Sequence, residues 1–158
     1  MKIKLVEPKL DDLDFRERLL ADKDTMSYNH HWGGTIEWPK QEWKDWHDYW
    51  IVNHEGKRFY RYLFDEEVRQ YVGEIAYHFD DERKINVANV IIMAKYRGKG
   101  YGNAGLKLLC DAAKENGVDI LYDDIASDNP GIALFLKNGF TEEYRTAEII
   151  MLKKILYE

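Results

Sequence analysis

Three consecutive segments rich in aromatic and β-branched residues constrain the fold of this chain more than any other feature. They are "RFYRYLF" (58–64), "RQYVGEIAYHF" (69–79) and "KINVANVIIMA" (84–94), and short acidic turns at 65–67 and 80–82 separate them. Residues of these types favour strands, and connections this short join neighbouring antiparallel strands. The centre of the chain is therefore predicted to be an antiparallel meander.

Helical patterns flank this meander on both sides. The strand-like N-terminus is followed by predicted helices over 11–21 and 39–53, where apolar residues recur at three- and four-residue intervals. After the meander come a helix over 103–116, a strand, a helix that ends at Asn138-Gly139, and two closing strands. The order β, α, α, β, β, β, α, β, α, β, β predicts one α+β (mixed α/β) domain over residues 1–158.

The composition narrows the functional class. Of the 158 residues, 45% are hydrophobic and 33% are charged, which is typical of a soluble globular protein. The formal net charge of −6 argues against binding to duplex nucleic acid, and no run reaches the roughly 18 apolar residues of a membrane span. The N-terminus lacks the apolar core of a signal peptide, and the single cysteine, Cys110, excludes an internal disulfide and a cysteine-based zinc site. A cytoplasmic protein without nucleic-acid or membrane partners is expected.

The segment "GKGYGNAG" (98–105) places four glycines between the last strand of the meander and a predicted helix. Gly100, Gly102 and Gly105 form a G-x-G-x-x-G pattern with two aspartates about twenty residues further on, which is the formal fingerprint of a dinucleotide site. A dinucleotide domain, however, opens with this unit and needs several parallel strands after it. Only about 55 residues follow here, and tight turns join the preceding strands, so this interpretation is disfavoured.

A phosphate-binding loop at a helix N-terminus explains the same glycines better. Backbone amides from Gly98 to Gly102 would point at an anion, and the cations Arg97 and Lys99 would lie beside it. The alternative is a glycine-rich turn with charged side chains on the surface. Glycines at this density weaken a structure unless the backbone must approach something closely, so the phosphate-binding loop is preferred.

Two segments resemble the signatures of one protein family. "VIIMAKYRGKGYG" (90–102) resembles motif A of the GNAT superfamily of acyl-CoA-dependent N-acetyltransferases, a hydrophobic fourth strand followed by [Arg/Gln]-x-x-Gly-x-[Gly/Ala]. "DNPGIALFLKNGF" (128–140) is similar to motif B, in which an asparagine at a strand end precedes a helix that ends in Gly-Phe. Asn129 and Pro130 would be the N-cap and the first residue of that helix. The two motifs occur in the expected order, and the predicted elements fit the superfamily over nearly the whole chain.

The resemblance implies both a fold and a reaction. The fold would be a central, mostly antiparallel sheet of about seven strands, splayed between strands 4 and 5 and flanked by about four helices. The reaction would be transfer of an acetyl group from acetyl-CoA to a primary amine by direct attack. The acceptor would be a small-molecule amine or a peptide amine, and the sequence leaves open whether the chain works as a monomer or as a homodimer.

The resemblance also assigns cofactor-binding roles to matching positions. Backbone groups of the fourth strand would bind the pantetheine arm, and the glycine-rich loop with the following helix start would bind the pyrophosphate. Residues of motif B would contact the acetyl end and flank the cofactor. In chain order these positions are Val90, Ile91, Ile92, Arg97, Gly98, Lys99, Gly100, Tyr101, Gly102, Asn103, Asn129, Phe135 and Lys137.

Motif B departs from the superfamily at one position. Where the superfamily commonly has a tyrosine that protonates the departing CoA thiolate, this sequence has Phe135. A thiol has a pKa of about 8–9, so the thiolate is a fair leaving group near neutral pH and turnover does not require this acid. Phe135 is nevertheless the main support for an alternative function, a non-catalytic module that binds acyl-CoA.

Three residues are candidates for the catalytic base. Acetyl transfer needs a neutral amine, and an alkylamine is mostly protonated at pH 7. Glu74 and His78 are four residues apart in "YVGEIAYHF", on the same face of a predicted strand, and either could accept the proton. Asp124, on the predicted strand beside the splay, is the third candidate. The alternative for Glu74 and His78 is a solvated strand face opposite an apolar one.

The first half of the chain carries the candidates for acceptor binding. All five tryptophans fall between residues 32 and 50, a region that shapes the acceptor pocket in the superfamily, and those at helical spacing, Trp43, Trp46 and Trp50, are interpreted as core. Loops rich in aromatic and polar side chains often carry binding function, so the acceptor-binding candidates are Tyr28, Asn29, His30 and Trp32. The histidine pair at 30–31 could suggest a metal, but no third ligand lies at a recognisable spacing, and no metal is expected.

Overall fold

The computed structural model describes residues 1–157, with the side chain of His31 left aside. Within this range the chain forms seven strands and four α-helices in the predicted order. The strands are β1 (Ile3–Val6), β2 (Arg58–Asp65), β3 (Gln70–Asp80), β4 (Ile85–Ile92), β5 (Ile120–Ala126), β6 (Thr141–Arg145) and β7 (Ile149–Ile155). The α-helices are α1 (Asp14–Ala21), α2 (Trp43–His47), α3 (Tyr101–Glu115) and α4 (Ile132–Lys137).

The seven strands form one sheet in the order β1-β2-β3-β4-β5-β7-β6. Neighbouring strands are antiparallel except β4 and β5, which run parallel and pair only at Asn86 with Leu121 and at Val87 with Tyr122. Beyond those two pairs the strands diverge, so residues 88–92 of β4 and 123–126 of β5 border a gap. The predicted meander and the splay between the fourth and fifth strands are both confirmed.

The two faces of the sheet carry different cores. On one face Leu63, Ile75 and Tyr77 pack against α3 and α4, in a cluster with Leu106 and Phe135. On the other face the clusters are dominated by aromatic rings of α1, α2, β2 and the loop before α2, namely Phe15, Trp43, Tyr60, Tyr62 and Trp38. Because side chains alternate along a strand, β3 contributes Ile75 and Tyr77 to the first face, and Glu74 and Ala76 to the second.

Short irregular helices connect these elements in the first half. The predicted helix over 39–53 consists of a 3₁₀ turn (Lys40–Glu42), α2 and a π turn (Asp48–Val52), with Pro39 at the N-cap rather than inside the first turn. The segment before it, expected to be a loop, includes a 3₁₀ segment (Ser27–Trp32) with a kink at Asn29. No helix in residues 1–157 is both long and apolar enough to cross a membrane.

The start of the last helix differs from the prediction. We expected Asn129 as N-cap and Pro130 as the first helical residue, but α4 begins at Ile132 and its N-cap is Gly131. The Asn129 side-chain oxygen accepts a hydrogen bond from Gly131 N at 2.8 Å, which closes a local turn. Asparagine readily bonds the backbone two residues ahead, and here that turn delays the helix.

Candidate active site

A cleft of about 850 Å³ opens where β4 and β5 diverge. It has two differently built halves. We call glycine half the part lined by the free edge of β4, residues 97–103 and α4. We call aromatic half the part lined by Arg16, by Trp46 of α2, by side chains of the π turn and of strands β2 and β3, and by four residues of the segment before α2, namely Met26, Tyr28, Asn29 and Trp32.

The residues predicted for a cofactor converge on the glycine half. In the described part of the chain all of them line the cleft except Lys99, which points elsewhere. The predicted base candidates Glu74, His78 and Asp124 also line the cleft, together with the acceptor candidates Tyr28, Asn29 and Trp32. His30 lies outside its lining, where its Nε2 is 3.1 Å from a carboxylate oxygen of Asp128.

The free edge of β4 exposes backbone groups to the cleft. A Cβ atom built on Gly73 would lie 2.3 Å from Ile91 O, so the backbone of Ile91 faces β3 and only glycine fits opposite it. Because backbone groups alternate in direction along a strand, those of Val90 and Ile92 face the gap. Ile92 O accepts a hydrogen bond from Arg97 Nε at 3.2 Å, which leaves the Val90 N–H and C=O groups on the open edge.

The glycine-rich loop presents amides at the start of α3. Gly100 is the N-cap of α3 and has φ of 91°, a left-handed conformation that favours glycine. Among the described residues, none accepts a hydrogen bond from the amides of residues 98–103. A helix of 15 residues therefore begins with unbonded N–H groups at the cleft, the arrangement that binds phosphate groups.

Two predicted cofactor side chains have structural roles instead. The Arg97 guanidinium donates to three backbone carbonyls, those of Ile92, Asp24 and Thr25, the last at 2.7 Å, so it holds the loop in place. The Tyr101 hydroxyl donates to Asp65 at 2.5 Å inside the core, and this carboxylate raises the pKa of Tyr101 to about 12. At Tyr101 only the backbone can serve a ligand.

Helix α4 contributes an apolar wall to the glycine half. Phe135 is buried and packs edge to face against Phe140, with 5.0 Å between ring centroids. The Asn138 side chain ties α4 to α3 by donating to Asn103 Oδ1 at 2.9 Å. Phe135 thus fills space beside the cleft, and because its side chain is a hydrocarbon it offers no proton donor.

Glu74 is the best-defined polar group of the aromatic half. It is only 3% exposed, so the alternative of a solvated strand face is wrong for this residue. Its carboxylate accepts hydrogen bonds from Tyr60 Oη at 2.7 Å and from Asn89 Nδ2 at 2.9 Å. Burial, and next the charge of Glu74, raise the pKa of Tyr60, so that its hydroxyl stays a donor. Sequence reasoning missed Tyr60 and Asn89 as partners, because no local pattern joins positions 60, 74 and 89.

Arg16 lies beside Glu74 and was also missed. Its guanidinium lies over the rings of Trp38 and Trp46, at 4.3 and 4.5 Å from their centroids, and Arg16 Nε is 3.8 Å from Glu74 Oε1. The signal in the sequence was a charged residue among Leu13, Leu19 and Leu20 on the apolar side of α1. A cation at such a position needs an anion and aromatic faces near it.

The other two base candidates lie further along the cleft. His78 is half-buried against Trp50, and this burial lowers its pKa, so it is neutral near pH 7. Asp124 is 3.6 Å from Arg83 Nη1, which engages its carboxylate. Its neighbour Asp123 also lines the cleft, and burial, followed by the charge of Asp124, raises the pKa of Asp123 well above the usual range.

The tryptophans divide between core and cleft. Trp43 is buried, as predicted, but Trp46 and Trp50 are only partly buried, and both line the cleft. Their interpretation as pure core residues was therefore too narrow. Within the described residues, no three histidine, cysteine or acidic side chains are grouped to hold a metal ion.

The chain resembles solved acetyltransferase structures over its whole length. It is 18% identical to a putative acetyltransferase from Salmonella typhimurium with its cofactor acetyl-CoA (TM-score 0.75, covering 100% of this chain and 96% of that one). It is 22% identical to a ribosomal-protein-alanine N-acetyltransferase from Brucella melitensis (TM-score 0.74; 98% and 99%). It is 17% identical to a spermidine N-acetyltransferase from Vibrio cholerae in complex with CoA and spermine (TM-score 0.76; 98% and 95%). These likenesses establish the fold, and no curated protein sequence matches the chain.

The model of the acetyltransferase (GNAT) family matches residues 20–140, most of the chain. This range contains both motifs, the splay of β4 and β5, and Glu74. The antiparallel meander before the glycines leaves no room for the dinucleotide alternative. The chain belongs to the acetyltransferase (GNAT) family, the acyl-CoA-dependent N-acetyltransferases that use acetyl-CoA as co-substrate.

Proposed function

We propose that this protein transfers the acetyl group of acetyl-CoA to a primary amine bound in the aromatic half of the cleft, with Glu74 as the proton acceptor. The observation that carries this proposal is a buried carboxylate, held by Tyr60 and Asn89, that faces the gap beside an open strand edge. A cleft of this build fits a long acyl carrier on one side and an amine on the other.

The glycine half suits the cofactor through its backbone. The open N–H and C=O groups of Val90 can pair with an amide-containing arm as an added strand would. The unbonded amides of residues 98–103 can receive the phosphates. When bound there, acetyl-CoA supplies a thioester carbonyl that a neutral amine can attack.

The aromatic half prepares the amine. Two donors hold the Glu74 carboxylate in one orientation, yet each of its oxygens retains capacity for a further donor. The carboxylate can accept a proton from the acceptor's ammonium group directly or through a water, and so produce the nucleophile. The rings of Trp46, Trp50 and Tyr60 line the same part of the cleft and limit the access of bulk water to that carboxylate. Positioning of the amine against the thioester then lowers the barrier further.

A second candidate function is a module that binds acyl-CoA without turnover, favoured by Phe135 in place of the usual tyrosine. Incubation with acetyl-CoA and a panel of amines, read out as released CoA thiol and acetylated product, separates the two functions. The panel would contain amino acids, spermidine, an aminoglycoside and a peptide with a free N-terminus.

We expect amine-dependent release of thiol. Thermal stabilisation by CoA together with no product from any amine would support the binding module instead. Stabilisation by NADH but not by acetyl-CoA would contradict both functions.

A further inference from the structure

Arg16 is a largely buried cation whose guanidinium has no hydrogen-bond acceptor among the described residues. Its side chain is 16% exposed, and two tryptophan rings flank the guanidinium. Arg16 Nε is fully buried and has no hydrogen-bond partner among the described residues. The terminal nitrogens also lack a partner there, but they are not fully buried and so remain open to the cleft. The closest carboxylate oxygen, Glu74 Oε1, is 3.8 Å from Nε, beyond hydrogen-bond distance.

A largely buried guanidinium costs free energy unless hydrogen-bond acceptors satisfy its N–H groups. Buried polar groups in proteins are almost always hydrogen-bonded, and an unsatisfied charged donor costs more than a neutral one. Glu74 balances the charge of Arg16, but it does not fill the planar array of donors that suits a carboxylate. Since Arg16 lines the cleft, the acceptor it lacks can come from a ligand.

The position of Arg16 also limits which amines fit. The face of Trp46 could attract a cationic ligand, but the cation of Arg16 already lies over it. A polyamine would therefore meet a positive charge at this wall. The N-terminus of a peptide has no free carboxylate at its first residue and would leave the guanidinium unsatisfied.

An α-amino acid matches the pair of charges. Its ammonium and carboxylate groups are attached to one carbon, and the cleft presents Glu74 and Arg16 side by side. The Glu74 oxygens can accept bonds from the ammonium group, while Arg16 donates to the carboxylate.

We propose that Arg16 binds the carboxylate of an α-amino acid acceptor whose amine faces Glu74. This inference rests on the proposed function, because it specifies the acceptor for that same site.

Matched pairs of acceptors test the inference. Each pair consists of an L-amino acid and the amine that lacks its carboxylate: phenylalanine and phenethylamine, tyrosine and tyramine, tryptophan and tryptamine, histidine and histamine, lysine and cadaverine. We expect the amino acid of an active pair to have a kcat/KM at least about 100-fold higher, because a site built to bond a polar group rejects the analogue without it.

Substitution of Arg16 shows whether this residue causes the preference. Arg16→Met should raise KM for the amino acid at least about tenfold, while KM for the decarboxylated amine should not rise and KM for acetyl-CoA should not change. Arg16→Lys keeps the charge but loses the planar pair of guanidinium donors, so its KM for the amino acid should lie between those of the unchanged protein and Arg16→Met. Arg18→Met is the matched control, since Arg18 is on the same helix but exposed and paired with Asp14.

Every outcome of this experiment bears on the inference. Equal rates within each pair, or an Arg16→Met variant that affects both members equally, would overturn it and leave the proposed function intact. Acetylation of spermidine or a peptide without any amino acid would do the same. If no amine is acetylated, the proposed function fails. Thermal stabilisation by an L-amino acid in the presence of CoA, lost in Arg16→Met, then still supports the carboxylate site, and its absence refutes it.

Discussion

The two halves of the cleft are built on different principles. The glycine half offers mainly backbone: an open edge at Val90 and unbonded amides at the start of α3. The aromatic half offers side chains from α1, the π turn, β2, β3 and β4, which meet around Glu74. Backbone recognition tolerates many sequences as long as glycines permit the close approach, whereas side-chain recognition must be rebuilt for every acceptor. A protein of this design can keep one cofactor and change its acceptor.

The largest expected effect is that of Glu74→Gln, which should impair the acetyl transfer without affecting cofactor binding. Glu74→Gln keeps the size of the side chain and its acceptor oxygen but removes the base. We expect kcat/KM for the amine to fall by about 10²–10⁴, the usual contribution of a general base, with no change in the dissociation constant of CoA.

Glu17→Gln is a suitable control for Glu74→Gln, because Glu17 is a partly exposed residue of α1 that does not line the cleft. Steady-state kinetics and CoA titration by calorimetry would provide the measurements. A Glu74→Gln variant with unchanged kcat/KM would shift the base to His78 or Asp124, and a variant that lost CoA binding would show that the two halves are not separable.

The second prediction concerns the glycine half. Gly100→Val places a branched side chain at a left-handed residue beside the amides of α3, and we expect KM for acetyl-CoA to rise about 10–100-fold. Gly117→Val is the matched control, because Gly117 has φ of 85° and open space around it at the other end of α3.

Both glycine variants should lose about 1–3 kcal/mol of unfolding free energy to backbone strain, measured by urea denaturation. Only Gly100→Val should lose stabilisation by CoA. Equal KM values for acetyl-CoA in the two variants would mean that strain, not blockage of the amides, caused the effect.

A smaller effect is expected from the hydroxyl that orients Glu74. Tyr60→Phe removes the 2.7 Å hydrogen bond to Glu74 Oε1 without changing the ring. Loss of one such bond to a charged acceptor corresponds to at least about 1.5 kcal/mol, so we expect kcat to fall at least about tenfold.

Tyr62→Phe is the comparison for Tyr60→Phe, since the Tyr62 hydroxyl donates to the backbone oxygen of Asp12 instead. Its kcat should match that of the unchanged protein. If both variants lost activity to the same degree, the effect would come from altered ring packing and not from the orientation of Glu74.

The smallest effect concerns Asp123, on the β5 side of the cleft, and the stability of the fold at different pH. Burial raises the folded-state pKa of Asp123 above its ordinary value of 3.8, so the folded chain holds this proton more tightly than the unfolded chain. Stability from the protonated carboxyl is present below about pH 3.8 and is lost as pH rises through the folded-state pKa.

Asp123→Asn removes this dependence on pH. We expect the variant to be more stable by about 1 kcal/mol at pH 7, which is roughly 2–4 °C in Tm, and the difference to shrink toward pH 4. Scanning calorimetry at several pH values would measure it. A variant that is less stable at pH 7 would show that the Asp123 carboxylate has a favourable partner.

The sequence was informative where the determinants are local. Residues 58–94 alternate with period two and are broken by acidic turns, and this pattern was enough for the meander. The glycines of 98–105 and the Gly-Phe at 139–140 are likewise local signatures, and the cleft forms around the first of them. Such features depend on backbone geometry that neighbouring residues determine.

The errors arose where distant residues decide. Arg16, Tyr60 and Asn89 meet Glu74 only after α1, β2 and β4 are placed around it, so no spacing in the chain connects them. Arg97 looked like a phosphate-binding cation, but its guanidinium is occupied by carbonyls that lie about 70 residues earlier. Asn129 could either cap the helix at its own position or accept a hydrogen bond from Gly131 N two residues ahead, and the structure has the second arrangement.

The hydrogen bonds of Arg97 also determine where a segment could be exchanged between relatives in order to change the acceptor. The Arg97 guanidinium donates to the carbonyls of Asp24 and Thr25, and Ala94 N donates to Thr25 Oγ1 at 2.9 Å. The β4–α3 loop is therefore hydrogen-bonded to the chain just before residues 26–32. Residues 26–32, the segment proposed to contact the acceptor, are thus fixed at their start. Recombination between relatives that replaces residues 26–32 but keeps Thr25 together with Arg97 would preserve these hydrogen bonds at the start of the segment. A crossover that separates Thr25 from Arg97 would lose them.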